Sequence, residues 1–158
     1  MEYVPIDAQN RARVNAFLQE QWFSTDMVVR GRVVDMSRAA GFLALEGGEL
    51  LGLVTYEHQG EALEVLSLDS LRADCGIGTR LLSLAEEAAR RHGCRRVRLV
   101  TTNDNIRALR FYQRRGYEMT ALYYRSLDVS RKLKPSIPAI GLDGIPLCSE
   151  IELMKELP

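Results

Sequence analysis

The stretch from Leu66 to Leu82 carries the residues with the clearest chemical content. It leaves an apolar, strand-like run at Leu66-Ser67-Leu68, passes Gly76 and Gly78, and enters a helical pattern at Thr79. The first N–H groups of a helix lack intrahelical partners and carry partial positive charge, so a glycine loop opening a helix presents donors to an anion. Gly76 and Gly78 have no Cβ to hold that anion away. A diphosphate is the expected guest; the alternative is that the glycines only make a tight strand-to-helix turn. Asn105, Ala108 and Tyr112 form a second set. Asn105 and Tyr112 are nearly two helical turns apart and share a face, and the small Ala108 between them lets a ligand approach the helix. The alternative is that Ala108, Leu109 and Tyr112 are the buried stripe of an amphipathic helix.

Both sets need elements to hold them. Tyr3 to Ile6 reads as a strand, and Asp7 as the N-cap of a helix from Ala8 that places Val14, Phe17, Leu18 and Trp22 on one face. Trp22 and Phe23 are expected in the core. Met27 to Asp35 fits either a short helix or an irregular loop. Gly41–Glu46 and Glu49–Glu57 are strands joined by a tight turn at Gly47-Gly48, and a turn at Gln59-Gly60 leads into Ala62–Leu68. The last strand of this meander feeds the glycine loop. A helix over Thr79–Arg91 follows, with Leu81, Ala88 and Ala89 inward and Gly93 at its end. The strand Arg95–Thr102 then lies parallel to the one before the loop, because a helix joins them. After Asn103-Asp104-Asn105 come a helix to Arg115, a strand Tyr117–Arg125 and a last strand Glu150–Leu157. Residues 126–149 form a long connection, with a helical turn at Leu127–Leu133 and an ordered loop over Lys134–Pro146.

Composition narrows the function classes. Basic and acidic residues number 21 each, so net charge favours no polyanionic partner. Nine arginines lie from Arg90 to Arg115 against one acid, Asp104, but the aromatic residues among them, Phe111 and Tyr112, sit side by side and are not spaced through the run as stacking platforms. A solvated basic face is expected there, with no nucleic-acid partner. Cys75, Cys94 and Cys148 form no C-x-x-C pair, and His58 and His92 stand at no ligand spacing, so neither a disulfide framework nor a metal site is expected. No basic and apolar leader begins the chain and no apolar run approaches membrane-spanning length, so a cytoplasmic location without a membrane partner is expected.

With these motifs in place, the chain resembles the GNAT superfamily of acetyl-CoA-dependent N-acetyltransferases, most strongly from about Leu63 to Tyr117. The family's acyl-CoA loop, [Q/R]-x-x-G-x-[G/A], corresponds to Ala73-Asp74-Cys75-Gly76-Ile77-Gly78. Its N-x-x-A-x-x-x-Y pattern corresponds to Asn105, Ala108 and Tyr112, with Gly116 and Tyr117 following. Ala73 departs from the usual Arg or Gln, and Arg72 is one place early. The ending from Leu133 to Pro146 is similar to an uncharacterised subgroup. The resemblance implies one α/β domain over residues 1–158, with a mixed sheet of about six to seven strands, mostly antiparallel with a central parallel pair, flanked by about four helices. It also implies transfer of an acetyl group from the co-substrate acetyl-CoA to a primary amine by direct attack.

Such a transfer needs a neutral amine, a donor for the carbonyl oxygen and a proton for the leaving thiolate. By resemblance, Leu66, Ser67 and Leu68 bind the pantetheine arm and thioester, with the Leu68 amide as oxyanion donor. Amides of Asp74, Cys75, Gly76, Ile77, Gly78, Thr79 and Arg80 cradle the diphosphate, Asn105 and Ala108 line the cofactor helix, and Tyr112 is the general acid. Glu64 or Asp69 is the candidate base, with Glu57 and His58 further alternatives beside water-mediated deprotonation. Cys75 faces the wrong end of the cofactor to be a nucleophile. The acceptor is a small-molecule amine or peptide, whose pocket draws on candidates such as Trp22, Arg30, Tyr56, Tyr123, Tyr124 and the Lys134–Pro146 loop. Homodimerisation is compatible with the sequence. Two other classes compete. A dinucleotide binder lacks support because Gly76-Ile77-Gly78-Thr79-Arg80-Leu81 has no third small residue. A non-catalytic acyl-CoA-binding or regulatory module has no need of the Tyr112 hydroxyl.

Overall fold

The computed structural model describes all of residues 1–158. Seven strands form one sheet in the order β1-β4-β5-β6-β7-β9-β8, and β2 with β3 forms a separate hairpin. The ranges are β1 Glu2–Pro5, β2 Asp26–Val29, β3 Arg32–Asp35, β4 Ala40–Glu46, β5 Glu49–Gln59, β6 Ala62–Ser70, β7 Arg96–Thr102, β8 Glu118–Tyr123 and β9 Glu150–Glu156. The helices are α1 Arg11–Trp22, α2 Ile77–Arg91, α3 Ile106–Gln113 and α4 Ser126–Leu133. The sheet is mostly antiparallel with β6 and β7 parallel, as the helical crossover between them requires. No helix is long and apolar enough to cross a membrane.

The chain forms two compact units, residues 1–25, 35–97 and 156–158 in the first and 26–34 and 98–155 in the second. In the first, β1, β4, β5 and β6 pair antiparallel in succession. Helix α2 packs on β4, β5 and β6, burying Ile77, Leu81, Leu82, Ala85, Ala88 and Ala89. Its entry is close. A Cβ on Gly52 of β5 would stand 2.6 Å from the Asp69 carbonyl oxygen and 3.0 Å from Ile77 Cγ2, so only glycine lets the first turn of α2 reach the sheet.

The second unit holds the β2–β3 hairpin, α3, α4, β8 and β9, with β8 and β9 antiparallel and a bulge at Thr120. Its long connection is tied down by its own backbone. Asn103 Oδ1 accepts from the amides of Cys148 and Ser149 at 3.1 and 3.0 Å, and its Nδ2 donates to the Pro146 carbonyl at 2.9 Å. Buried Asp104 accepts the Leu142 amide at 2.8 Å, and a Cβ on Gly141 would overlap that carboxylate. These bonds explain why a loop of this length is ordered.

Three local expectations are corrected. Helix α1 begins at Arg11, preceded by Asn10, whose side chain makes no cap bond, because Asp7 Oδ1 accepts the amides of Gln9 and Asn10 at 2.9 and 3.0 Å and spends residues 8–10 in a turn. Met27–Asp35 belongs to a hairpin, neither helix nor irregular loop; Arg30 and Gly31 have φ of 51° and 73°, the primed-turn geometry that suits right-twisted strands. Phe23 is not in the core: it is 85% exposed and ends α1 at φ 61°. Trp22 is only half-buried.

Candidate active site

The strand–loop–helix expected from sequence lies wholly in the first unit. Along β5 and β6, Thr55 pairs with Ser67 and Tyr56 with Val65, so Leu66 is an extra residue in β6. This bulge leaves Leu66 without a partner on β5 and bends the strand there, while Ser67 and Leu68 stay in register with Thr55 and Val54. Sequence alone gave no sign of it. Below it, the hydroxyls of Thr55 and Ser67 bond at 2.5 Å in the buried interior, fixing the strand where it bends.

The loop reverses through two left-handed residues, Asp74 at φ 56° and Gly76 at φ 76°. The Gly76 carbonyl accepts the first intrahelical bond, from Arg80 N at 3.0 Å. The amides of Ile77 and Gly78 therefore precede any intrahelical acceptor. A Cβ on Gly76 would meet no atom within 4 Å, so the space before this turn is open, and the helix start fits an anion there. Cys75 is exposed, its Sγ donating to the Ala73 carbonyl at 3.3 Å. Two basic side chains are committed elsewhere. Arg72 pairs with Glu46, which raises its pKa, and Arg80 reaches along α2 to Glu87 at 3.0 Å. The loop thus offers backbone donors without a basic side chain.

The candidate bases separate clearly. Glu64, 2% exposed, faces Glu57 across the strands, and Gln59 Nε2 bridges them, donating at 2.8 Å to Glu64 and 2.5 Å to Glu57. His58 is exposed beside His92, ring centroids 4.3 Å apart, with Cys94 Sγ 3.5 Å from its Nδ1. Asp69 follows Leu68 directly, and its Oδ2 accepts from the Trp22 indole at 3.0 Å. Burial holds the Asp69 carboxyl above the ordinary aspartate range, opposed by the Trp22 bond. That pairing of α1 with β6 was the second feature that sequence did not announce.

In the second unit, Asn105 caps α3, its Oδ1 accepting the Ala108 amide at 3.1 Å. Its side chain is therefore structural, while Ala108 is half-buried. Tyr112 is 8% exposed and meets Phe111 and Tyr117 edge-on, at centroid distances of 5.1 and 5.7 Å. Arg30 sits at the β2–β3 turn, its amide donating to both Glu150 oxygens at 3.2 Å and its guanidinium reaching Glu152 at 3.4 Å. Tyr123 also donates to Glu152, at 3.0 Å. These acceptor-pocket candidates thus serve a polar network that holds the hairpin to β9.

Comparison with known proteins agrees with this geometry. The acetyltransferase (GNAT) family model matches residues 9–117, spanning the bulged strand, the glycine turn and Tyr112. The chain belongs to the GNAT family. It is 39% identical over 158 residues to the uncharacterized Bacillus subtilis protein YxbD, covering 99% of both chains. It is 36% identical over 87 residues to the aminoalkylphosphonate N-acetyltransferase of Salmonella typhimurium, a match spanning 49% of this chain and 56% of that one. It shares its fold with a GNAT acetyltransferase from Elizabethkingia anophelis solved with acetyl-CoA bound, with a TM-score of 0.70, 19% identity, and coverage of 99% of this chain and 97% of that one.

Proposed function

We propose that this GNAT acetyltransferase moves the acetyl group of acetyl-CoA to a primary amine by direct attack. The observation that carries the proposal is the continuity of the bulged strand end with the open, positive-φ glycine turn and the start of α2. Acetyl-CoA in the Elizabethkingia relative and the N-acetyltransferase name of the Salmonella relative support the co-substrate and the amine.

The amides of residues 74–80 hold the diphosphate, with the helix start supplying the field and no basic side chain required. The bulge turns the Leu68 amide toward the thioester oxygen, where it stabilises the charge that develops on attack. Asp69 takes the proton from the acceptor ammonium, because its carboxyl combines partial burial with a position next to Leu68. Glu64, bridged by Gln59 and facing Glu57, holds the strand pair. As the C–S bond breaks, Tyr112 gives its phenolic proton to the thiolate. The acceptor is a small-molecule amine or peptide, the setting is cytoplasmic, and a homodimer is compatible with the fold.

The test is thiol release from acetyl-CoA against a panel of primary amines, with acetylated product identified by mass. Amine-dependent release with stoichiometric N-acetyl product is expected. Acetyl-CoA binding with no product from any amine assigns the chain to the non-catalytic class instead.

A further inference from the structure

Trp22 is the chain's only tryptophan and the last residue of α1. It shares a helix face with the fully buried Leu18, four residues earlier, so the packing of α1 fixes the direction from which its side chain leaves. The helix stops directly after it. Phe23 turns into the left-handed region at φ 61°, and the Gln19 side-chain amide donates to its carbonyl at 2.7 Å. From this pinned end the indole N–H donates to Asp69 Oδ2 at 3.0 Å, while Oδ1 of the same carboxylate accepts no hydrogen bond from the chain. Any large apolar side chain could fill a half-buried position such as this one; the N–H is what tryptophan adds.

We infer that Trp22 is a positioning residue for proton abstraction: its indole holds Oδ2 of an ionised Asp69 and leaves Oδ1 to take the proton of the acceptor ammonium. The inference rests on the proposed role of Asp69 in amine acetylation. An N–H bond of the ammonium breaks as an O–H bond forms on Oδ1, and the electron pair stays on nitrogen for attack on the thioester. An indole suits this task because it is a donor only, so it occupies one oxygen without competing for the proton that the other receives. It also offsets the burial of the carboxyl. Burial raises the Asp69 pKa and the Trp22 bond lowers it, with no charged neighbour among the causes. The residues packed there from the other elements are uncharged: Leu53 stands opposite Asp69 on β5, and Ile77 brings α2 onto the sheet at Gly52.

Trp22→Phe tests this, since it keeps an aromatic ring and removes the N–H. The readout is the pH profile of kcat at saturating acetyl-CoA and the best primary amine of the panel. Loss of a hydrogen bond to the charged form raises the Asp69 pKa, so the acid limb is expected to move up by about one pH unit, making the variant about tenfold slower at pH values below both limbs. The acetyl-CoA KM stays within about twofold. In an Asp69→Asn background the same substitution is expected to move no limb. A residue that only ties α1 to β6 would lower the melting temperature and scale kcat evenly across pH. Turnover with an unmoved limb in Trp22→Phe, or an equal shift in the Asp69→Asn background, overturns the inference and leaves amine acetylation standing. Absence of turnover with every amine overturns the acetylation reading, and the inference with it.

Discussion

At the scale of single residues, Asp69 and Tyr112 carry distinguishable expectations. Burial raises the Asp69 pKa over its unfolded value, so between those two values the folded state binds the extra proton, and stability falls as pH rises. Above the folded pKa the charged carboxylate remains a cost to the fold. Asp69→Asn keeps an acceptor for the Trp22 indole and removes the charge. It is expected to melt at a higher temperature near neutral pH while losing about 10²- to 10⁴-fold in kcat. Calorimetric melting and steady-state rates check both; a variant that is stabilised yet fully active removes Asp69 from the base role. Tyr112→Phe is expected to keep acetyl-CoA affinity and lower turnover about a hundredfold, read by titration and initial rates on one preparation. Arg72 is committed to Glu46, so Arg72→Ala is expected to leave acetyl-CoA affinity within about twofold.

At the scale of elements, the legible and the hidden divide along local chemistry. The Gly47-Gly48 hairpin and the Gly93 helix end were readable because one or two residues impose each, whereas Asn105, read as facing a ligand, spends its side chain capping α3. The Arg30-Gly31 hairpin was not, because its two strands have four residues each and depend on Glu150 and Glu152 of distant β9. The start of α1 moved because Asp7 and Asn10 bond each other's amides, a local competition that residue preference ranks poorly. The Leu66 bulge depends on cross-strand register, which no stretch of β6 encodes alone. Gly52 shows how far such elements control the site. Gly52→Ala would press on the Asp69 carbonyl and on Ile77 at the start of α2, and a destabilisation of about 1–3 kcal/mol in denaturant melts is expected, with weaker acetyl-CoA binding.

At the scale of the whole molecule, the order of strands and helices was largely legible, because alternating turns and apolar periods marked nearly every element. Of the candidate site, the glycine turn and Tyr112 could be singled out from sequence, whereas the Trp22–Asp69 bond, which joins residues 47 apart in sequence, could not. The pH response of the fold also has two opposed parts. Burial and the neighbouring His92 lower the His58 pKa, so the stability it contributes is complete above its unfolded value near 6.5 and is lost as pH falls through the lower folded value. Because both rings are exposed, a small fall in melting temperature below about pH 6.5 is expected, flattened in His58→Gln.

Binding of acetyl-CoA at the glycine turn underlies every role proposed for this chain. Isothermal titration of the wild-type protein and of Gly76→Val with acetyl-CoA measures it most directly. Saturable binding at or below the millimolar range is expected for the wild type. A loss of at least about tenfold is expected in Gly76→Val, where a β-branched residue meets a φ of 76° and its side chain fills the open space before the turn. No binding to the wild type at millimolar acetyl-CoA, or equal affinity in a folded Gly76→Val, would show that this turn does not hold the cofactor.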